Sequence, residues 1–483
     1  MQPEISRRTL LAGASVSAVP FFGSARSQSS PEWWTLAEAS AALQKRVISS
    51  EELTKLCFAR IKKLDPSLNS FITLMEESAL ATARKCDQQR GHNPLYGVPI
   101  ALKDNIDTAG VRTTAASQVF DQRVPSEDAE VAARLKAAGT VCLGKLNLDE
   151  MAFEGTGTTS FYGPVHNPWN LAHITGGSSA GSGAALAAGL CYASVGSDDG
   201  GSVRIPAAYC GITGFKTSYG RVSTRGVVPS AYSLDSIGPM TRSVEDAAIM
   251  LQVMAGFDPA DSITANVPVP DYVAALHRPI SNLRVGIPRD YFFEKLDPDV
   301  ESAVEAAINL LKPRVKSVQD IVLPRFQNVE NGSYNVELLH YQAPYFNKSP
   351  EMYHPWSRRQ LSQMQKVTTL NYVETLKRIR ECRRDIRHIF EQVDILLLPT
   401  RRDPAPTIQA TIDETYHRLP SNNSAFNRFG TPAISVPCGF SRDSLPIGLQ
   451  MAGPAFGEPN VLAVAYAYQQ ASDWHLRRPQ LPG

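Results

Sequence analysis

Thr175-Gly-Gly-Ser178-Ser179-Ala-Gly-Ser-Gly183 and, shortly after it, Gly196-Ser-Asp198-Asp199-Gly200-Gly201-Ser202-Val-Arg204 decide how this chain is read. Eight Gly and six Ser lie between Gly176 and Ser202, more than a helix–strand unit needs for packing. Glycine gives up much backbone entropy on folding, so such density marks main chain that bends sharply or approaches something closely. Ser178, Ser179 and Ser202 stand at the edges of those bends among small neighbours. A loop of backbone N–H groups around an oxyanion, with a hydroxyl presented to it, has this composition.

Outward from these loops, short apolar runs alternate with helical patterns. Val98–Leu102, Thr140–Leu143, Cys191–Val195, Leu283–Ile287, Val393–Leu398 and Ala433–Val436 read as buried strands. Helices are expected over Ser126–Ala138, stopped by Gly139, and over Val244–Ala255. Ser49-Ser-Glu-Glu52 is a capping box that opens an amphipathic helix to about Lys63, within a helical N-terminal layer reaching about Arg90. This alternation predicts the α/β class, a helix-covered and mostly mixed sheet. One large domain over 31–483, interrupted by a helical insertion at about 325–390, is expected. Within 23 residues the insertion carries Tyr334, His340, Tyr341, Tyr345, Phe346, Tyr353, His354 and Trp356. Such aromatics either line a substrate entrance or pack a lid onto the core.

Three motifs compete for the chemistry. Gly139-Thr-Val-Cys-Leu-Gly144-Lys145-Leu146 nearly matches a phosphate-binding loop, but Leu146 stands where a Mg²⁺-binding Ser or Thr is needed. Gly177-Ser-Ser179-Ala-Gly181 fits a nucleophile elbow with Ser179 attacking and His388, His417 or His475 as base. Loop formers precede Ser179, whereas an elbow needs a strand running into the serine. The third motif places Lys103 at the end of the apolar run Pro99-Ile-Ala-Leu. A desolvated lysine has a depressed pKa and can act as a neutral base, so Ser–Lys catalysis needs no histidine. The plain alternative is a lysine that pairs with Asp104.

Lys103-Asp-Asn-Ile-Asp107, Gly176–Ser182 and Gly196–Pro206 together resemble the amidase signature family. Gly211–Ser223, Ser233–Pro239, Pro432–Gly439 and Leu445–Gln450 extend the likeness over most of residues 35–475. It is weakest over 260–390. The resemblance implies a large twisted mixed sheet with helices on both faces, and acyl transfer by a Ser–cis-Ser–Lys triad. Ser202 matches the nucleophile, Ser178 the bridging serine with a cis peptide before it, and Lys103 the base. The oxyanion donors implied are the backbone N–H groups of Asp199, Gly200, Gly201 and Ser202. Ser179 takes a supporting place, and Asp198 and Arg204 form a structural pair. No metal or other cofactor is implied. Asp199 departs from the Thr, Ile or small residue common at its position. A carboxylate beside a developing oxyanion is unfavourable unless its side chain points away.

The function implied first is hydrolysis of a small-molecule carboxylic amide to acid and ammonia or amine. Within the family the alternatives are an esterase or carbamate hydrolase and the glutaminase component of a tRNA-dependent amidotransferase. From another class comes a catalytically silent scaffold. A net charge of +1 gives no electrostatic case for a nucleic-acid partner. The seven cysteines form no CxxC pair, which leaves zinc and dithiol readings without support. Residues 1–27, with Ser6-Arg7-Arg8-Thr9-Leu10-Leu11 ahead of a weakly apolar stretch, resemble a bacterial twin-arginine signal. The apolar stretch is too short for a permanent membrane span. Periplasmic export is therefore expected, with a cytoplasmic location as the alternative, and the chain as monomer or homodimer.

Overall fold

A computed structural model describes residues 30–89, 91, 93–327, 335–416 and 419–481. The stretch read as an export signal, Tyr334 and His417 lie outside them. Thirteen strands are found among the described residues: β1 Phe71–Leu74, β2 Pro99–Lys103, β3 Val141–Leu146, β4 His166–Asn167, β5 Asn170–Ile174, β6 Ala193–Asp198, β7 Thr213–Lys216, β8 Ser236–Thr241, β9 Arg284–Ile287, β10 Ser317–Asp320, β11 Ile395–Pro399, β12 Ala433–Phe440 and β13 Pro446–Ala452. Strands β4 and β5 form a separate two-stranded sheet. The other eleven make one sheet in the order β1-β3-β2-β6-β8-β7-β12-β13-β11-β9-β10. It is mixed. Neighbours run parallel in β3-β2-β6 and in β11-β9-β10, and antiparallel elsewhere.

Both faces of this sheet are covered. Every residue of β2, β6, β8, β11 and β13 is buried, and successive side chains of a strand point to opposite faces. Alternation along β11 divides the core. Ile395 and Leu397 join one apolar cluster, in which residues of helices Pro298–Leu311 and Glu458–Gln470 also lie. Leu396 and Leu398 join a second, with Ile379, Cys382, Ile386 and Ile389 of helix Thr369–Phe390.

The six expected strands all form; their starts shift by at most two residues, while β3, β6 and β12 run three or four residues further than expected. The Ser49 capping box closes as expected: Ser49 Oγ accepts from Glu52 N at 3.1 Å, and Glu52 Oε2 accepts from Ser49 N at 2.7 Å. Its helix runs further than expected, Ser50–Leu68. The all-helical N-terminal layer is corrected by β1, whose four residues are too few to show a period; they pair antiparallel with β3. Strands β7, β8 and β13 escaped a reading of apolar runs because glycine and proline interrupt them. Gly238 shows why: a Cβ there would lie 2.0 Å from Phe215 O on β7, so the strand needs a residue with no side chain.

Between β10 and β11 the chain forms helices Val336–Phe346, Pro355–Met364 and Thr369–Phe390. Leu338, Phe346, Tyr353, Leu361 and Met364 of this segment close an apolar cluster with Ala115, Phe120, Met151 and Val228. Tyr341 and Tyr345 meet the Phe120 ring edge-on at 6.5 and 4.8 Å, and Trp356 lies 5.2 Å from Phe153. Most of the described aromatics therefore pack the segment down. His354 and Trp356 also line a cavity of about 740 Å³, together with Thr156 and Thr158.

Candidate active site

Parallel pairing of β2 with β6, Ile100 opposite Ala193 and Leu102 opposite Val195, sets the carboxyl ends of the two strands side by side. That is where open α/β sheets place ligands. Lys103 ends β2, and Ser197 and Asp198 end β6. Lys103 is fully buried, and its Nζ donates to Ser178 Oγ at 2.7 Å and to Ser197 Oγ at 2.9 Å. Burial pulls its pKa down to about 8, against the upward pull of the Asp199, Asp149, Asp198 and Asp235 carboxylates. A minority of the amine is thus neutral near physiological pH, far more than for an exposed lysine.

The alternative pairing of Lys103 with Asp104 does not form. Asp104 accepts from Thr114 N and Oγ1 and lies 3.5 Å from Lys145 Nζ. Lys145, the lysine of the near-phosphate motif, stands inside β3 and donates to Ile106 O and Thr113 Oγ1 at 2.6 and 2.7 Å. A strand in place of a glycine-rich turn ends the phosphate reading.

Ser178 follows a cis peptide from Gly177, as the resemblance implied. Gly177 is irreplaceable here, since a Cβ would meet Asp149 Oδ2 at 2.0 Å. Asp149 itself is nested among the N–H groups of Thr156, Gly157, Thr158 and Thr159 at 2.8–3.2 Å. Ser179 is not an elbow nucleophile. It is fully buried at the start of helix Ala180–Ala187, its Oγ donates to Ser197 O at 3.3 Å, and its N–H donates to Ser202 O at 3.1 Å. That last bond ties the two serine loops together. His388, one of the histidines that reading needed, is exposed and lies 3.5 Å from Glu391.

Asp198 and Arg204 pair at 2.8 Å with neither side chain exposed. Burial alone would raise the Asp198 pKa; the Arg204 guanidinium and the hydrogen bonds around it hold the carboxyl well below the usual carboxylate range. All five guanidinium N–H groups are used, on both Asp198 oxygens, Asn423 O, Gln450 Oε1 and Asn427 Oδ1. One expected oxyanion donor is corrected by the same carboxylate. Gly201 N–H donates to Asp198 Oδ1 at 2.8 Å, which leaves Asp199, Gly200 and Ser202 of the original four.

The Ser202 hydroxyl donates to Asp199 Oδ1 at a long 3.4 Å, and no hydrogen bond among the described residues joins it to Ser178. The Asp199 carboxyl therefore faces the Ser202 hydroxyl rather than pointing away. Its second oxygen accepts from Ser230 Oγ at 3.1 Å. Burial and the neighbouring Asp198 charge raise its pKa, opposed by Lys103. Two like charges 4 Å apart near a protein surface repel by about 4 kcal/mol, so an ionised Asp199 matters to any oxyanion formed here.

The reading from sequence missed Ser197 and Asn105. Ser197 Oγ accepts from both Lys103 Nζ and, at 3.1 Å, Asn105 Nδ2. Both lay within the quoted motifs, yet nothing local says that their side chains converge.

The amidase family model matches residues 52–462. The chain is 42% identical to the glutamyl-tRNA(Gln) amidotransferase A-subunit of Roseiflexus sp. (strain RS-1), across 93% of this chain and 98% of that one. It superposes on the solved A-subunit of the same amidotransferase from Thermotoga maritima with a TM-score of 0.78 at 30% identity, covering 94% of this chain and 99% of that one. For the peptide amidase of Stenotrophomonas maltophilia the TM-score is 0.82 at 29% identity, with 93% and 99% covered. With the sheet, the buried lysine and the paired serine loops in hand, the chain belongs to the amidase family of hydrolases, which act on amide C–N bonds.

Proposed function

We propose that the chain hydrolyses a carboxylic amide through an acyl-Ser202 intermediate, with Lys103 as base and Ser178 as the bridge. One observation carries the reading: a fully buried lysine amine 2.7 Å from Ser178 Oγ. Neutral Lys103 takes the Ser178 proton as Ser178 takes that of Ser202. The Ser202 oxygen then bonds to the carbonyl carbon, while the N–H groups of Asp199, Gly200 and Ser202 receive the oxyanion. The relay returns a proton to the nitrogen as the C–N bond breaks. Water then attacks the acyl-enzyme by the same relay in reverse order, and the acid leaves. Ser202 must turn from Asp199 toward Ser178 for the first transfer, a tightening common on substrate binding.

Two readings of the substrate share this chemistry. Identity of 42% over nearly the whole chain supports the glutaminase component of a tRNA-dependent amidotransferase better than a stand-alone amidase. On that reading the amide is glutamine and the chain works beside partner proteins in the cytoplasm, where aminoacyl-tRNA is made. On the other it acts alone on small amides, and the twin-arginine stretch exports it. Ammonia release from glutamine and from a panel of aliphatic and aromatic amides, with and without the partner proteins, separates the two. Ser202→Ala is expected to abolish every activity; unchanged turnover in that variant refutes the acyl-Ser202 step. A reporter fused to residues 1–27, with Arg7 and Arg8 replaced by Lys, decides location: export is expected with the arginines and not with the lysines.

A further inference from the structure

The relay accounts for one of the two contacts of Lys103 Nζ, that with Ser178. The other runs to Ser197 Oγ at 2.9 Å, and among the described residues this amine makes no third hydrogen bond and no ion pair. Four carboxylates face it: Asp198 at the end of β6, Asp199 just past it, Asp149 beyond β3 and Asp235 before β8. None of them touches the amine, so a fully buried ammonium at position 103 rests on two hydroxyl oxygens.

Ser197 is held for that contact. Its backbone lies in β6 opposite Ile237 of β8, and its carbonyl accepts from Ser179 Oγ at 3.3 Å. Its side-chain oxygen accepts from Asn105 Nδ2 at 3.1 Å, and the same nitrogen donates to Val228 O at 3.3 Å. A carbonyl oxygen can only accept, so Val228 fixes which end of the Asn105 amide faces Ser197. One lone pair of Ser197 Oγ is thereby filled, and the other is left for Lys103.

The contact matters most when the relayed proton reaches Nζ. An ammonium can only donate, so in that state Ser197 must accept. A hydrogen bond with an ionised partner is roughly twice as strong as a neutral one. The bond therefore strengthens as Lys103 gains its proton, and only interactions that strengthen on the way to the transition state speed a reaction. We propose that Ser197, held by Asn105, is a positioning residue that acts through Lys103: its oxygen steadies the ammonium formed as Ser202 attacks. This rests on the acyl-Ser202 reading above.

The test is the pH dependence of labelling by a small alkyl fluorophosphonate, followed on the full chain by intact mass, which requires no known substrate. Ser202 Oγ bonds to phosphorus, fluoride leaves, and the hydroxyl proton passes through Ser178 to Lys103. The wild-type rate is expected to rise with pH to a plateau, with its midpoint at about 8. Ser197→Ala takes an acceptor from the ammonium, so protonation becomes less favourable. The midpoint is expected to move down by about one pH unit and the plateau to fall. A second pair of variants serves if the alanine form does not fold. Ser197→Thr keeps the hydroxyl and is expected to hold the wild-type midpoint, whereas Ser197→Val has the same shape without it and is expected to show the shift. An unmoved or raised midpoint in Ser197→Ala or Ser197→Val overturns the proposal, even with a slower plateau, because a serine that only supports the fold would do the same. Failure of the acyl-Ser202 reading looks different: labelling would persist in Ser202→Ala, or the wild-type rate would be flat with pH.

Discussion

Lys103 shows how much one residue's surroundings decide. An exposed lysine is a cation throughout the physiological range, whereas burial brings this one to about 8. The sign follows directly. On the proposed mechanism the active form is the neutral amine, whose population falls as pH drops below that value. The acid limb of kcat/KM is therefore expected to bend near pH 8 and then fall about tenfold per pH unit. A profile flat down to pH 5 contradicts a lysine base. Lys103→Ala is expected to lower kcat by several orders of magnitude with the unfolding transition retained, checked by rate and urea melt together. Arg204 acts on the fold instead. Arg204→Met strands the buried Asp198 carboxylate and is expected to cost about 3–5 kcal/mol, read from the urea midpoint.

At the scale of the element, helix Thr369–Phe390 separates burial from position. Ile386 is buried in the cluster that Leu396 and Leu398 of β11 join, while Leu370 is 81% exposed. Ile386→Ala is expected to destabilise by about 2–5 kcal/mol. Leu370→Ala should stay within about 0.5 kcal/mol. Equal losses in urea melts of the two variants would contradict the packing described. Elements also account for what was legible. Apolar runs such as Val393–Leu398 announce strands that are buried on both faces, and Ser49 with Glu52 announces a helix start. Strand β8, with Gly238 and Pro239 inside it, is invisible to such patterns because its glycine is chosen for the approach of β7.

Across the whole molecule the chain order and the sheet order part company. Strand β12 lies between β7 and β13, so the C-terminal part of the chain completes an edge left by the N-terminal part. A chain ending at residue 390 would expose β7 as an open edge and leave β9 and β10 without β11, the strand that joins them to the rest of the sheet. Such a fragment is expected to be insoluble, with no cooperative melt by circular dichroism; a soluble fragment that melts sharply would contradict a single continuous sheet. Among the described residues no helix is long and apolar enough to cross a membrane.

Residue order alone gave the α/β class, through apolar runs alternating with helical patterns. Glycine-rich bends and a lysine closing an apolar run drew attention to Lys103, Ser178, Ser179 and Ser202, and the resemblance to the amidase signature family gave them their expected roles. Residue order settled less about who meets whom. Lys103 and Lys145 both sit in apolar runs, and only the pairing of β2 with β6 shows that the first reaches Ser178 and the second does not. Ser197 joins the amine across 94 residues of chain. The direction of Asp199, toward Ser202, and the commitment of Gly201 N–H to Asp198 were likewise tertiary facts. Hydrogen bonds and charge pairs act through space at a few ångströms, and chain order carries that distance only after the sheet has brought the strand ends together.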